Sequence, residues 1–101
     1  MTDEIERYDA IVRKHTDRID LYYHLAQELA ELTAALLKYC QVITGRDPAG
    51  IGEVEALDRL YDETIDVMNY FRVLKLKDVD RENPFATSKK MRRWAERLGE
   101  V

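Results

Sequence analysis

The clearest chemical signal in the sequence is two pairs of carboxylates. In each pair the second acid lies three positions after the first. Glu28 and Glu31 form the first pair, and Glu63 and Asp66 form the second. Residues i and i+3 are neighbours on a helix surface, with Cβ atoms about 5–6 Å apart. If two such helices pack side by side, the pairs form a box of four carboxylates. Oxygen ligands at that density suit Mg²⁺.

The apolar residues around each pair predict the helices that must position these acids. Apolar residues recur at steps of three or four from residue 21 to 43, and a second such stripe runs from residue 57 to 74. On both predicted helices the first acid borders the stripe, and the second lies about 60° further out. Glu28 and Glu63 are therefore expected at the edge of the core, where an unpaired carboxylate is costly.

Four helices are predicted, and the two central ones are long. They span about residues 2–14, 18–44, 53–76 and 87–98. Gly45 and Gly99 are placed to end the second and the last helix, since glycine favours the left-handed residue that commonly follows a helix. Pro84 falls in a predicted loop over residues 77–85. We therefore expect a single all-α domain of residues 1–101, with a basic C-terminal helix.

Composition restricts the class of protein. The 101 residues are 46% apolar and include only two prolines, which favours an ordered globular chain. No apolar run approaches the roughly 20 residues of a membrane span, and the acidic N-terminus lacks the basic start of a secretory signal. The only cysteine, Cys40, lies on the apolar stripe. We expect a core thiol and a reducing, cytoplasmic compartment.

The charge is unevenly distributed along the chain. Residues 1–74 hold 8 Lys/Arg and 15 Asp/Glu, whereas residues 75–101 hold 8 Lys/Arg and 5 Asp/Glu. A protein that binds duplex DNA would present a broad basic face, which this acidic body lacks. A metal-binding body with a cationic clamp fits this balance, and ordinary solvated helix surfaces explain it almost as well.

The acidic pairs have two competing explanations. Helix surfaces are rich in glutamate, so a single Glu-x-x-Glu is usually only solvated. Neither Glu28 nor Glu63 has a basic residue four positions later that would pair with it within its own helix. A divalent cation would offset the repulsion. Interhelical ion pairs with Arg59, Arg72 or Lys38 are the alternative.

A similarity to a known family is carried by two short motifs, QELAEL at residues 27–32 and ETID at residues 63–66. Together they resemble the Glu-x-x-Glu … Glu-x-x-Asp signature of the MazG-like, all-α nucleoside triphosphate pyrophosphohydrolases. The resemblance covers roughly residues 8–76, including helix order and flanking leucines. The chain has Gln27 and Asp62 where the family often has an acidic residue and a glutamate, respectively.

The resemblance implies a fold, a reaction and a cofactor. It implies a four-helix, bundle-like MazG fold that binds Mg²⁺, with Mn²⁺ as a substitute, and hydrolyses a (deoxy)nucleoside triphosphate to the monophosphate and pyrophosphate. Glu28, Glu31, Glu63 and Asp66 would be the metal ligands and catalytic acids. Either Glu31 or Glu28 would act as the general base.

Other side chains are candidates for contact with the substrate. They are Tyr70, Lys38, Lys89, Lys90 and Arg93. The resemblance implies Tyr70, because some relatives place a tyrosine near the nucleotide, and the basic residues could hold phosphate oxygens. Solvation at the surface is the commoner fate of lysine and arginine. His24 shares the acidic edge of its helix, whereas the helical wheel directs Asn69 away from the site.

Self-association is also predicted. Four tyrosines and an isoleucine lie at or beyond the main apolar stripes, namely Tyr22, Tyr23, Tyr39, Tyr61 and Ile65. Tyrosine is enriched at protein interfaces. We expect a homodimer or a dimer of dimers, as the resemblance also implies. The alternative function is a catalytically silent helical interaction or regulatory module on the same scaffold.

Overall fold

The computed structural model describes residues 2–46, 50–76 and 84–100, and in these ranges the protein is helical with no strand. The helices are α1 (Thr2–His15), α2 (Arg18–Ile43), α3 (Glu53–Val73) and α4 (Pro84–Arg97). The predicted all-α class is confirmed. Most of the loop predicted over residues 77–85 lies outside the described residues. The helices of these ranges are all too short or too polar to cross a membrane.

Local signals in the sequence set several of the helix ends. Asp17 caps α2, and its side chain accepts a hydrogen bond of 2.9 Å from the backbone N–H of Ile19. Gly45 and Gly99 have φ angles of 71° and 85°, as expected for residues that follow α2 and α4. The break between α1 and α2 and the C-terminal glycines therefore lie where the sequence predicts them.

Two helix ends differ from the prediction. α3 ends at Val73 rather than near residue 76, because Lys75 adopts the left-handed conformation with φ 62°. The N–H of Lys75 donates to the Arg72 carbonyl, and that of Leu76 to the Phe71 carbonyl, which is the pairing of a Schellman motif. α4 begins at Pro84 rather than at residue 87, because proline at the first helical position needs no intrahelical N–H partner.

The left-handed Lys75 gives a test of this helix end. Lys75→Gly should be more stable than Lys75→Ala by about 1 kcal/mol, because both variants lose the charge and only glycine adopts this φ without strain. Gly45→Ala is the matched control, since Gly45 has the same conformation and an added Cβ meets nothing within 4 Å. It should cost a similar amount in urea unfolding. Equal stability of the two Lys75 variants would contradict the assignment.

The core lies mainly between α2 and α3, and α1 packs against α3 over a smaller area. Among the described residues, five apolar side chains are buried, namely Leu21, Leu25, Ala56, Val67 and Val73. α1 is held to α3 by polar contacts as well. Asp9, which is 6% exposed, receives two hydrogen bonds from Arg72, and Arg13 donates to the Val73 carbonyl at 3.2 Å.

The predicted apolar stripes are only partly covered within one chain. On α2, Leu29, Leu36 and Ile43 remain 40–50% exposed. Cys40 is exposed too, so its expected place in the core is wrong for the isolated chain. The Cα radius of gyration is 17.4 Å, against about 13 Å for a compact domain of this length. Much of the apolar surface of the described residues is therefore exposed to solvent.

α4 is amphipathic and carries much of this uncovered surface. Met91, Trp94 and Leu98 recur at steps of three and four, and each is more than half exposed. Within the described ranges, α4 forms no extensive interface with α1, α2 or α3. The placement of this helix relative to the rest of the chain is therefore not fixed by a shared core.

Candidate metal centre and adjoining pocket

Three of the four predicted acids converge between α2 and α3. One carboxylate oxygen from each of Glu28, Glu31 and Glu63 lies within 4.8 Å of the other two. Glu28 and Glu63 are half-buried and Glu31 is exposed, in the order that the helical periodicity predicts. The two helices thus bring together side chains that are 35 positions apart in the sequence.

Asp66 lies beside this cluster rather than within it. Its carboxylate is not part of the group of three, but its charge acts on both Glu28 and Glu63. It also lines a pocket together with Glu28. The structure therefore brings three acids of the expected box together and places the fourth next to them.

Two buried oxygen atoms of the cluster have no hydrogen-bond partner among the residues that the structure describes. They are Oε2 of Glu28 and Oε2 of Glu63. An uncompensated carboxylate away from water is costly, so most buried polar atoms are paired. Of the three cations in the alternative explanation by ion pairs, Arg59 pairs with Glu55 at 2.9 Å and Arg72 pairs with Asp9 at 2.6 Å. That alternative therefore depends on Lys38, which lines a cavity together with Glu63.

This donor set fits a divalent cation that prefers oxygen ligands. Carboxylates are common ligands of Mg²⁺ and Mn²⁺. Oε2 of Glu28 and Oε2 of Glu63, on neighbouring helices, could each bind such a cation. A cation at this position would offset the mutual repulsion of the acids. It would also contact Oε2 of Glu28 and Oε2 of Glu63, which have no hydrogen-bond partner among the described residues, although the three carboxyl groups also hydrogen-bond to one another.

Burial and like charges also change the proton affinity of the cluster. Burial raises the pKa of Glu28 above its ordinary value, and the charges of Glu31 and Asp66 add to that rise. The pKa of Glu63 is raised by burial first and then by the same two neighbours. Without a cation, the folded protein therefore holds these protons at a higher pH than the unfolded chain does.

The pH dependence of stability follows from these raised pKa values. In EDTA, lowering the pH from neutral towards the ordinary glutamate pKa of 4.5 should stabilise the fold, because the folded state takes up protons on Glu28 and Glu63 before the unfolded state does. Stabilisation by added Mg²⁺ should weaken over the same window, since protons compete with the cation. Urea unfolding at a series of pH values, with and without Mg²⁺, measures both effects.

Other titrating groups contribute to such a profile, so a variant must isolate the cluster. The profile of Glu63→Gln in EDTA should be flatter than that of the parent protein across the window. Glu55→Gln is the matched control, because Glu55 is an exposed glutamate of the same helix. If the Glu63→Gln profile were parallel to that of the parent, the raised pKa of Glu63 would be contradicted.

A pocket adjoins the cluster and contains two aromatic side chains. It is an open cavity of about 460 Å³, lined by Glu28, Asp66, His24, Asn69 and Tyr70 among others. The rings of His24 and Tyr70 are stacked, with centroids 6.3 Å apart and an interplanar angle of 25°. Burial raises the pKa of Tyr70, and the charges of Glu28 and Asp66 add to the rise. Tyr70 thus lies beside the acids, as expected.

The basic candidates occupy other places. Lys38 lines a separate cavity of about 410 Å³ to which Glu63 also contributes. Lys89, Lys90 and Arg93 line shallow grooves on α4 itself, and none of the four acids lines these grooves. The single chain therefore brings Lys38 to the edge of the cluster. It does not bring the predicted α4 residues into a shared cavity with the acids.

Asn69 is a pocket residue that sequence reasoning missed. The helical wheel of α3 directs it away from the acidic edge, but α1 supplies another wall of the pocket through Val12 and Thr16. The pocket therefore extends further around α3 than the acids do. Arg72 holds the Asn69 side chain by a hydrogen bond of 2.9 Å to its oxygen. No local sequence pattern signals where α1 lies, since its contacts with α3 join residues about sixty positions apart.

Searches of protein-family models, of curated proteins and of solved structures returned no match for this chain. The similarity to the MazG-like hydrolases is therefore carried by the two acidic motifs and the helix order alone.

Proposed function

We propose that this chain is a Mg²⁺-dependent pyrophosphohydrolase of a nucleoside or deoxynucleoside triphosphate, which it converts to the monophosphate and pyrophosphate. One observation carries the proposal. Glu28 and Glu63 each bury a carboxylate oxygen without a hydrogen-bond partner, within a cluster that Glu31 completes. The resemblance of the motifs supplies the reaction, and the free thiol of Cys40 favours a cytoplasmic location.

The positions of the acids suggest which of them would bind the cation and which would act as the general base. Glu28 and Glu63 would hold the cation, because their buried oxygens need one, and Mn²⁺ would substitute for Mg²⁺. A bound divalent cation neutralises phosphate charge and lowers the pKa of a coordinated water. Of the two general bases that the resemblance implies, Glu31 is the exposed one, so its carboxylate would accept the proton from the attacking water. As the water oxygen bonds to the α-phosphorus, the bond to the bridging oxygen breaks and pyrophosphate leaves.

The neighbouring pocket gives the rest of the substrate a place to bind. Glu28 and Asp66 belong to both the cluster region and the pocket wall, so a ligand there would place its phosphates beside the acids. The pocket volume of about 460 Å³ lies within the range of about 300–1,000 Å³ usual for small-molecule sites. The stacked rings of His24 and Tyr70 suit a planar base.

A thermal-shift panel of nucleotides with and without Mg²⁺ tests this function. A ligand at a hundred times its dissociation constant stabilises by about 2.7 kcal/mol. In a domain of this size, that corresponds to a rise in Tm of about 10 °C or more. Any nucleotide that raises Tm only with Mg²⁺ is then assayed for release of pyrophosphate. The proposal fails if no triphosphate yields pyrophosphate in the presence of Mg²⁺ or Mn²⁺.

A helical interaction module without activity is the second candidate, and the exposed face of α3 favours it. Val54, Tyr61 and Ile65 are 75%, 57% and 57% exposed, and Met68 extends the same stripe. Such a module would be indifferent to Mg²⁺. Neutralising its clustered acids would stabilise it with no loss of function, whereas the enzyme would lose its activity.

Either function fits a self-associating chain. The exposed large apolar residues of α3, called here the α3 stripe, are Val54, Tyr61, Ile65 and Met68. They are separated by steps of seven, four and three residues, which places them on one face of the helix, opposite Glu63. A second copy that covered this face would bury apolar surface without blocking the acids. We propose a homodimer or a dimer of dimers that uses this stripe.

A charged residue introduced into the α3 stripe tests whether this face forms the interface between copies of the chain. Ile65→Glu should raise the dissociation constant of the assembly at least about 100-fold, because association would bury an unpaired carboxylate. Gln41→Glu, which adds a charge at an exposed polar position of α2, is the control and should leave assembly unchanged. Sedimentation velocity measures both. A folded monomer of the parent protein at about 100 μM, far above the dissociation constant of a stable dimer, would contradict the prediction.

A further inference from the structure

Asn69 lies in the pocket beside the acids with its amide oriented by a chain of hydrogen bonds. Arg72 Nη1 donates to Asn69 Oδ1 at 2.9 Å. The same guanidinium donates through Nε and Nη2 to the two carboxylate oxygens of Asp9, at 2.6 and 2.9 Å. Asp9 is buried, so this bidentate pair fixes the plane of the arginine.

This chain of contacts fixes which end of the Asn69 amide, on an exposed residue of the pocket wall, is turned towards Arg72. A guanidinium has only donors, so the atom of Asn69 that it contacts must be the oxygen. The amide nitrogen is then the polar atom that Asn69 can present to a ligand in the pocket. Within the wall that Asn69 shares with His24 and Tyr70, it offers a hydrogen-bond donor of fixed polarity.

A group that can only donate a hydrogen bond distinguishes ligands that present an acceptor from ligands that present another donor. It pairs with a carbonyl oxygen and is left facing another donor when the ligand presents an amino group. Nucleobases differ in this respect at matching positions. Uracil and thymine present a carbonyl where cytosine presents an amino group, and guanine presents a carbonyl where adenine presents an amino group.

We propose that Asn69 selects nucleobases that present a carbonyl oxygen to its amide nitrogen, with Arg72 and Asp9 as positioning residues. The inference rests on the proposed function for the identity of the ligand as a nucleotide. The hydrogen-bond geometry itself is independent of whether hydrolysis occurs. In a pair of bases that binds with this edge towards Asn69, the keto member should bind about 10-fold more tightly, because one hydrogen bond is matched and the other is opposed.

Paired nucleotides test the selection. Dissociation constants are measured with Mg²⁺ for dUTP against dCTP and for dGTP against dATP, together with kcat/KM where turnover is seen. The keto nucleotide should be favoured in at least one pair. Asn69→Asp keeps an oxygen towards Arg72 but presents an acceptor to the pocket, so it should remove or invert the preference. Gln41→Ala removes the amide of an exposed α2 residue that does not line the pocket, so as the control it should leave the ratio unchanged.

The positioning role of Arg72 can be tested separately, through the ratio of keto to amino nucleotide binding. Arg72→Gln frees the Asn69 amide to rotate, so the keto-to-amino ratio should fall towards one. A merely structural role would weaken binding of all four nucleotides equally and keep the ratio. The measurement is made well below the Tm of the variant, with its helicity checked by circular dichroism.

The outcomes separate this inference from the proposed function. A keto preference in binding that Asn69→Asp abolishes, with no release of pyrophosphate, would support the pocket assignment and reject the hydrolase. Turnover with equal kcat/KM within both pairs, or a ratio unchanged in Asn69→Asp, would overturn the inference and leave the hydrolase. If none of the four nucleotides binds at millimolar concentration, the inference about Asn69 is overturned, and the hydrolase is decided by the pyrophosphate assay on the wider panel of triphosphates.

Discussion

Replacing Glu63 with Gln should lower the Mg²⁺-dependent turnover by about 10³-fold, because one of the two orphaned carboxylate oxygens is lost. The same substitution should stabilise the metal-free protein, because it removes a charge that burial and Glu31 disfavour. The rise in Tm caused by Mg²⁺ should disappear. Thermal denaturation in EDTA and in Mg²⁺, together with a pyrophosphate assay, measures the three effects.

This opposition between stability and activity is what distinguishes a cation site from an ordinary acidic surface. Glu55→Gln is the matched control, because it removes an exposed glutamate of the same helix that pairs with Arg59. It should change stability by less than about 0.5 kcal/mol and leave the response to Mg²⁺ intact. A Glu63→Gln protein that still gained stability from Mg²⁺ would place the cation elsewhere.

The pair of Asp9 with Arg72 should be the most costly polar contact to break. Asp9→Asn should destabilise the fold by about 3 kcal/mol, because it leaves the guanidinium without its bidentate partner in a part-buried site. For a domain of about 100 residues, this corresponds to a fall in Tm of about 12 °C or more. Urea unfolding followed by circular dichroism gives the free energy directly.

An exposed pair of the same type provides the comparison. Glu96→Gln breaks the contact of Glu96 with Arg92, whose side chains are 45% and 73% exposed. Solvent and side-chain entropy offset most of its energy, so the variant should lose no more than about 0.5 kcal/mol. If Asp9→Asn were as mild as Glu96→Gln, the pair with Arg72 would not anchor α1.

The parts that could be predicted from sequence are those set by local periodicity. Glu28 and Glu63 border the apolar stripes of their own helices, and in the structure both are half-buried and both reach the cluster. Gly45 likewise adopts the left-handed conformation that ends α2. Each of these features depends on the residues within a few turns of one helix, so one sequence is enough to predict it.

The parts that were missed depend on contacts between distant segments, or on how much apolar surface the described helices cover. The bond from Arg72 to Asp9 joins residues 63 positions apart, and it brings Asn69 into the pocket wall. Lys75 in the left-handed conformation ends α3 where no glycine marks the position. Cys40 lies on an apolar stripe, but the stripe extends beyond what one chain covers, so the thiol is exposed.

The origin of the three clustered acids in a single chain has a consequence for stoichiometry. Because α2 and α3 of one protomer supply Glu28, Glu31 and Glu63, every copy in an assembly would carry its own complete set. A calorimetric titration should then give one equivalent of cation per polypeptide. If the proposed cation site and assembly are both correct, dilution through the dissociation midpoint should leave the isotherm unchanged, because one chain supplies all three clustered acids.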